Sequence, residues 1–100
     1  MRIRLTGKDV IITDQLQAYA EYRLFTSLAR YGYFIRAVNV TLRPIASKRD
    51  AFLCNVVVDS GPSGPIKTGA RGPHPNAAID RAADRIASLL SRRGPKHVST

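Results

Sequence analysis

Pro75-Asn76-Ala77-Ala78-Ile79-Asp80-Arg81-Ala82-Ala83-Asp84-Arg85-Ile86-Ala87-Ser88-Leu89-Leu90-Ser91-Arg92-Arg93 is the stretch from which the rest of the chain can be read. Ala78, Ile79, Ala82, Ala83, Ile86, Leu89 and Leu90 recur with a period of about 3.6 residues, the signature of a helix that buries one face. A proline suits the first turn, where its missing N–H costs nothing. His74 just ahead of it is expected to cap the helix or face solvent, and Gly94-Pro95 predicts the stop. Arg81, Arg85 and Arg92 are four and seven residues apart and so share a second face. Asp80 and Asp84 fall on a separate flank. Arg93 and Lys96 extend the positive end, where the helix dipole favours cations.

An apolar stripe of this kind needs another layer to cover it, and the upstream sequence supplies one. Ile3 and Leu5 alternate with Arg2 and Arg4 as a half-buried strand over Arg2–Thr6. Val38, Val40 and Leu42 alternate with Asn39, Thr41 and Arg43, and Pro44 ends that strand. The run Ala51–Val58 is apolar on both faces and reads as the most buried strand, with Cys54 and the alternation Phe52, Val56, Val58 as core. Gly61-Pro62-Ser63-Gly64-Pro65 is a turn, after which Ile66, Thr68 and Ala70 alternate with Lys67, Gly69 and Arg71 as a fourth strand.

Between the first two strands lies a second helix, expected over Asp14 to Tyr31. Its core face is Leu16, Ala20, Leu24, Leu28 and Tyr31, and Gly32 is its C-terminal stop. Thr13 and Asp14 are both candidate N-caps, and Asp14 with Gln17 resembles a capping box. The order β-α-β-β-β-α predicts an α+β fold, a four-stranded sheet with two helices packed on one face. Residues 1–94 are expected to form one domain and 95–100 a short tail.

Sixteen Lys and Arg against seven Asp and Glu give 100 residues a formal charge of +9, a field that attracts polyanions. Nucleic acid is the first candidate partner, and an anionic membrane surface the second. No apolar run approaches the ~18 residues of a membrane span, and the N-terminus does not read as a signal peptide. A lone cysteine, Cys54, rules out an internal disulfide and fits a reducing cytoplasm. One Cys with the distant His74 and His97 makes no zinc site. No nucleophile elbow, Walker-type loop or HExxH is present. Neither an enzyme, a cofactor nor a small-molecule substrate is expected.

The candidate nucleic-acid-contacting residues are therefore Arg81, Arg85 and Arg92, extended by Arg93 and Lys96. Lys67 and Arg71 on one side of the fourth strand join them, as do Arg23 and Arg30 along the edge of the first helix's core stripe. Guanidinium groups suit phosphate oxygens because their planar fork matches two acceptors at once. A solvated outer face is the plain alternative for the same stripe. Tyr19 sits at the boundary of the first helix's core. Tyr22 and Phe25 fall opposite that core, where they could stack on bases, cover a strand or form a protein interface. Arg2, Arg4, Arg36, Arg43, Lys48 and Arg49 are expected to decorate the open sheet face and loops.

With these motifs set out, the chain resembles the short form of the ribosome hibernation-promoting factor and sigma-54 modulation protein family. The resemblance rests on Ile3-Arg4-Leu5-Thr6-Gly7, on Ile12-Thr13-Asp14-Gln15-Leu16, and above all on Ala77-Ala78-Ile79-Asp80 with Ala83-Asp84-Arg85-Ile86 and Leu90-Ser91-Arg92-Arg93. It implies a cytoplasmic protein docking on the small ribosomal subunit, in the channel used by mRNA and tRNA. There it would contact ribosomal RNA and block translation during starvation or stationary phase. The family's cationic places fall here on Arg71, Arg81, Arg85 and Arg92, with Arg23 on the first helix. Two segments depart from the family pattern: His74-Pro75-Asn76, and Leu24-Phe25-Thr26-Ser27-Leu28-Ala29 where relatives are lysine-rich. Double-stranded-RNA-binding domains share the β-β-β-α portion of the order, so a general RNA-binding module is an alternative reading, as is a protein-interaction regulator. Oligomeric state is left open.

Overall fold

Alternation along β1 (Arg2–Gly7) buries Leu5 and packs Ile3 against the core, leaving Arg2, Arg4 and Thr6 outside. The strand can turn sharply at its end only because residue 7 lacks a side chain. A Cβ there would lie 2.2 Å from the Val10 carbonyl oxygen. The structure, a computed structural model, describes residues 1–93. Gly94-Pro95, Lys96 and the expected tail lie outside the described residues, and Arg93 is described only as the last residue of its helix.

Helix α1 (Asp14–Leu28) is capped by Thr13, whose Oγ1 accepts from the Leu16 N–H at 3.1 Å. The Asp14–Gln17 capping box does not form. Thr13 takes the cap position, and Gln17 donates instead to the Glu21 carboxylate one turn on, at 2.7 Å. Ala20, Leu24 and Leu28 are fully buried as the periodicity requires. The helix is shorter than expected: Ala29–Tyr31 tighten into a 3-10 turn. Gly32 follows with φ −59°, so the stop uses no left-handed glycine.

β2 (Ala37–Pro44), β3 (Phe52–Asp59) and β4 (Pro65–Gly72) complete a sheet in the order β1-β2-β3-β4. β1 runs parallel to β2, with Leu5 opposite Val40, and the other two pairings are antiparallel. A parallel pair needs a crossover, and α1 supplies it. Helix α2 (Pro75–Arg93) packs on β3 and β4 beside α1, so both helices cover the same face. The expected α+β architecture is what forms.

Val38, Val40, Leu42, Cys54, Val56 and Val58 meet Leu24, Leu28, Ile79, Ile86 and Leu90 in one core. β3 is the most buried of the four strands, as its sequence suggests, with Asp59 its one exposed residue. Its inner residues Cys54, Val56 and Val58 are wholly buried, and Leu53 and Val57 on the opposite side are half-buried, since among the described residues both helices lie on the other face. Phe52 is partly buried at the rim of the core.

The join from β4 to α2 is tight. A Cβ on Gly72 would lie 2.5 Å from the Ala78 nitrogen, so the strand end and the helix start can touch only at glycine. His74 caps α2, its Nδ1 accepting from the Ala77 N–H at 3.4 Å.

Candidate nucleic-acid interface

Helix α2 separates its charges by flank. The acidic flank faces α1. Asp80 accepts from the Tyr19 hydroxyl and from Arg23 Nε at 2.7 Å, and Arg23 Nη2 reaches Asp84 at 3.2 Å and the Asp80 carbonyl at 3.3 Å. Two pairs spaced by four residues, Tyr19 with Arg23 and Asp80 with Asp84, thus interlock across two helices running in the same direction. Partial burial pushes the Asp80 carboxyl up, but the hydrogen bonds from Tyr19 and Arg23 and the Arg23 charge outweigh it and leave it below its ordinary value. The bond to Asp80 raises Arg23 in turn, and the same carboxylate raises Tyr19.

The basic flank hangs over the outer edge of β4. Arg85 Nη1 donates to the Gly69 carbonyl at 2.7 Å, and Arg81 Nη1 to the Arg71 carbonyl at 2.9 Å. Gly69 and Arg71 are two residues apart on an edge strand, so both carbonyls point out of the sheet and the i, i+4 arginines reach them in register. One nitrogen of each guanidinium is anchored in this way, and both residues remain exposed. Asp50, from the loop between β2 and β3, approaches Arg81 at 3.4 Å. These side chains, with Leu53, Ala70 and Arg71, line a groove of about 460 Å³.

Not every candidate gathers here. Arg71 and Lys67 lie on the open face of β4, opposite Leu53 and Val57 of β3, and carry positive charge around the edge from the α2 arginines. Arg4 and Arg43 occupy the same open face on β1 and β2, as expected of them. Arg92 is exposed two turns beyond Arg85. Arg30 is exposed in the 3-10 turn after α1. Arg23 stands apart, its guanidinium directed into the interhelical contact and its side chain 23% exposed. Among the described residues, only Arg23 and Arg81 of the candidate cations lie within ion-pair distance of a carboxylate.

Sequence reasoning missed Asp50 and Leu53, which reach the groove through strand pairing and a loop, and it missed the clamp. The matched four-residue spacings of Tyr19/Arg23 and Asp80/Asp84 were the available signal.

No group of three or more metal-ligating side chains occurs among the described residues, and no helix there is long and apolar enough to cross a membrane. Burial pushes the Cys54 thiol up to about 12, which makes it an inert core residue.

Fold and charge define a basic α+β domain whose cations line one sheet edge and the helix above it. The chain belongs to the sigma 54 modulation protein / S30EA ribosomal protein family, whose model matches residues 3–97, a family of ribosome-associated factors. The N-terminal domain of Thermus thermophilus Protein Y is similar in structure, with TM-score 0.72, 29% identity, and coverage of 92% of this chain and 98% of that one. A ribosomal subunit interface protein from Coxiella burnetii shares the fold at TM-score 0.78 and 20% identity, covering 96% of this chain and 100% of that one. None of the curated protein sequences compared matches this chain.

Proposed function

We propose that this protein is a cytoplasmic translation inhibitor that binds ribosomal RNA of the small subunit in the mRNA–tRNA channel and idles ribosomes under stress or in stationary phase. The observation that carries the reading is the β4 edge. Arg81 and Arg85 are each hydrogen-bonded to a backbone carbonyl of β4, Arg92 continues their line, and Lys67 and Arg71 lie around the same strand. Anchored guanidiniums lose little side-chain entropy on meeting a phosphate, so a preorganised row suits an RNA backbone of fixed shape. Family membership, and the subunit-interface description carried by the Coxiella protein, support the ribosome as the source of that RNA. Arg30, exposed in the 3-10 turn after α1, is assigned as a separate RNA contact, and Arg93 and Lys96 as the continuation of the α2 row in sequence. Arg23 contributes by holding α1 against α2.

Co-sedimentation with isolated small subunits tests the proposal. Binding should weaken steeply with salt, because each phosphate contact releases counterions. Replacing Arg81, Arg85 and Arg92 by Gln should lower the slope of log affinity against log salt by about 2 to 3. A protein that stays at the top of the gradient at low salt refutes ribosome binding. Equal affinity for an unrelated RNA duplex would favour a general RNA-binding module instead.

A further inference from the structure

The two edges of the sheet are finished differently. At β4 the outward carbonyls of Gly69 and Arg71 are occupied by Arg85 and Arg81, so a further strand cannot add without displacing them. At β1 the Arg2 N–H bonds the Arg36 carbonyl, and the Lys8 N–H bonds the Leu42 carbonyl. Even-numbered residues therefore direct their backbone groups towards β2, and Ile3 and Leu5 direct theirs out of the sheet. Among the described residues nothing meets them.

Beside this open edge, between β1 and the outer side of α1, lies a groove of about 610 Å³. The side chains of Met1, Ile3, Tyr22 and Phe25 form its apolar part, and its charged side chains are one cation, Arg2, and one anion, Glu21. Tyr22 is 65% exposed and Phe25 56%, large apolar areas left uncovered among the described residues. Arg23, the sole cation of α1, is turned away towards Asp80 and Asp84.

We propose that this edge and groove are a homodimer interface, in which two copies pair β1 with β1 antiparallel about a two-fold axis. The two sheets become one, and the α1 helices meet through Tyr22 and Phe25. A two-fold contact sets a patch against itself, so the patch must be self-complementary. This one is: its side-chain charges balance, with Arg2 of one copy available to Glu21 of the other, in a molecule whose net charge is +9. The arginine edge at β4 would repel a second copy of itself, which leaves the RNA-facing surface free in the pair.

The electrostatics make the idea separable from RNA binding. Two bodies of charge +9 repel through water, and salt screens that repulsion. Dimerisation should therefore strengthen as salt rises from about 0.05 M to about 0.5 M, whereas phosphate binding weakens over the same range. Sedimentation velocity on the purified chain, without RNA, reads the association directly. Ile3→Pro removes an outward N–H while sparing the ladder to β2. The double variant Tyr22→Lys, Phe25→Lys leaves the strand intact and changes only exposed positions. Each should weaken the dimer by at least about ten-fold, which is 1.4 kcal/mol, with circular dichroism confirming the fold. A monomer at every salt and concentration overturns the proposal and points to another occupant of the edge. So does a dimer that both folded variants leave intact.

Discussion

Removing the Asp80 carboxylate tests whether Arg23 serves the fold or the RNA. In Asp80→Ala, Tyr19 loses an acceptor, and Arg23 keeps only Ser27 at 3.2 Å, the residue 80 carbonyl and Asp84 at 3.2 Å. Hydrogen bonds to charged groups contribute roughly 1.5–3 kcal/mol when buried. Here the side chains are 23% and 40% exposed, and solvent screening reduces the figure to about 1–2 kcal/mol. For a domain of this size that lowers Tm by about 4–16 °C. Asp84, 77% exposed, should matter by about half a kcal/mol or less. Urea unfolding of Arg23→Ala, Asp80→Ala and the double variant gives the pairwise coupling, expected near 1 kcal/mol. Acid adds a second readout. The folded carboxyl of Asp80 lies below its ordinary value, so its contribution is complete above the unfolded value near about 4 and is lost as pH falls through the lower folded value. Asp80→Asn should remove that part of the acid dependence. Asp80→Ala as stable as the parent, or Arg23→Ala folded normally but as poor in ribosome binding as Arg85→Gln, would refute the structural role given to Arg23.

Gly72→Ala should destabilise the chain by about 2 kcal/mol or more in denaturant titrations, because its Cβ would meet the backbone of α2 and neither segment can retreat. Gly64→Ala meets open space but sits at φ 82° and ψ 177°, so backbone strain alone should cost about 1–3 kcal/mol in the same titration. Cys54, fully buried with its thiol pushed up to about 12, should not react with a thiol reagent at pH 8 unless denaturant is added. Rapid labelling of the native protein would contradict its place in the core.

Much of the fold was legible because burial imposes periodicity. The α2 stripe Ala78, Ile79, Ala82, Ala83, Ile86, Leu90 is buried throughout, and the alternation in all four strands chose the correct faces. Local terms misled at the first helix, where Asp14 and Gln17 matched a capping pattern that Thr13 pre-empted. The two-sided apolar character of the third strand marked it correctly as the most buried, although both helices lie on one of its faces and the outward Leu53 and Val57 are only half-buried.

The arginine stripe was equally legible, for spacing by four and seven on a helix places residues together whatever the surroundings. What sequence alone could not decide is what each cation meets. Arg23 and Arg85 look alike along the chain, yet one meets Asp80 and Asp84 across the helix pair and the other a strand-edge carbonyl. Those partners lie up to 61 residues away or belong to the backbone, and only the packing of α1 on α2 and of α2 on β4 brings them within hydrogen-bond distance. The same holds for the sheet edges. Sequence determined that there would be strands with one buried face. Tertiary structure decided which strand was left last in the row with its backbone unpaired, because strand order is set by long-range pairing that no local pattern encodes.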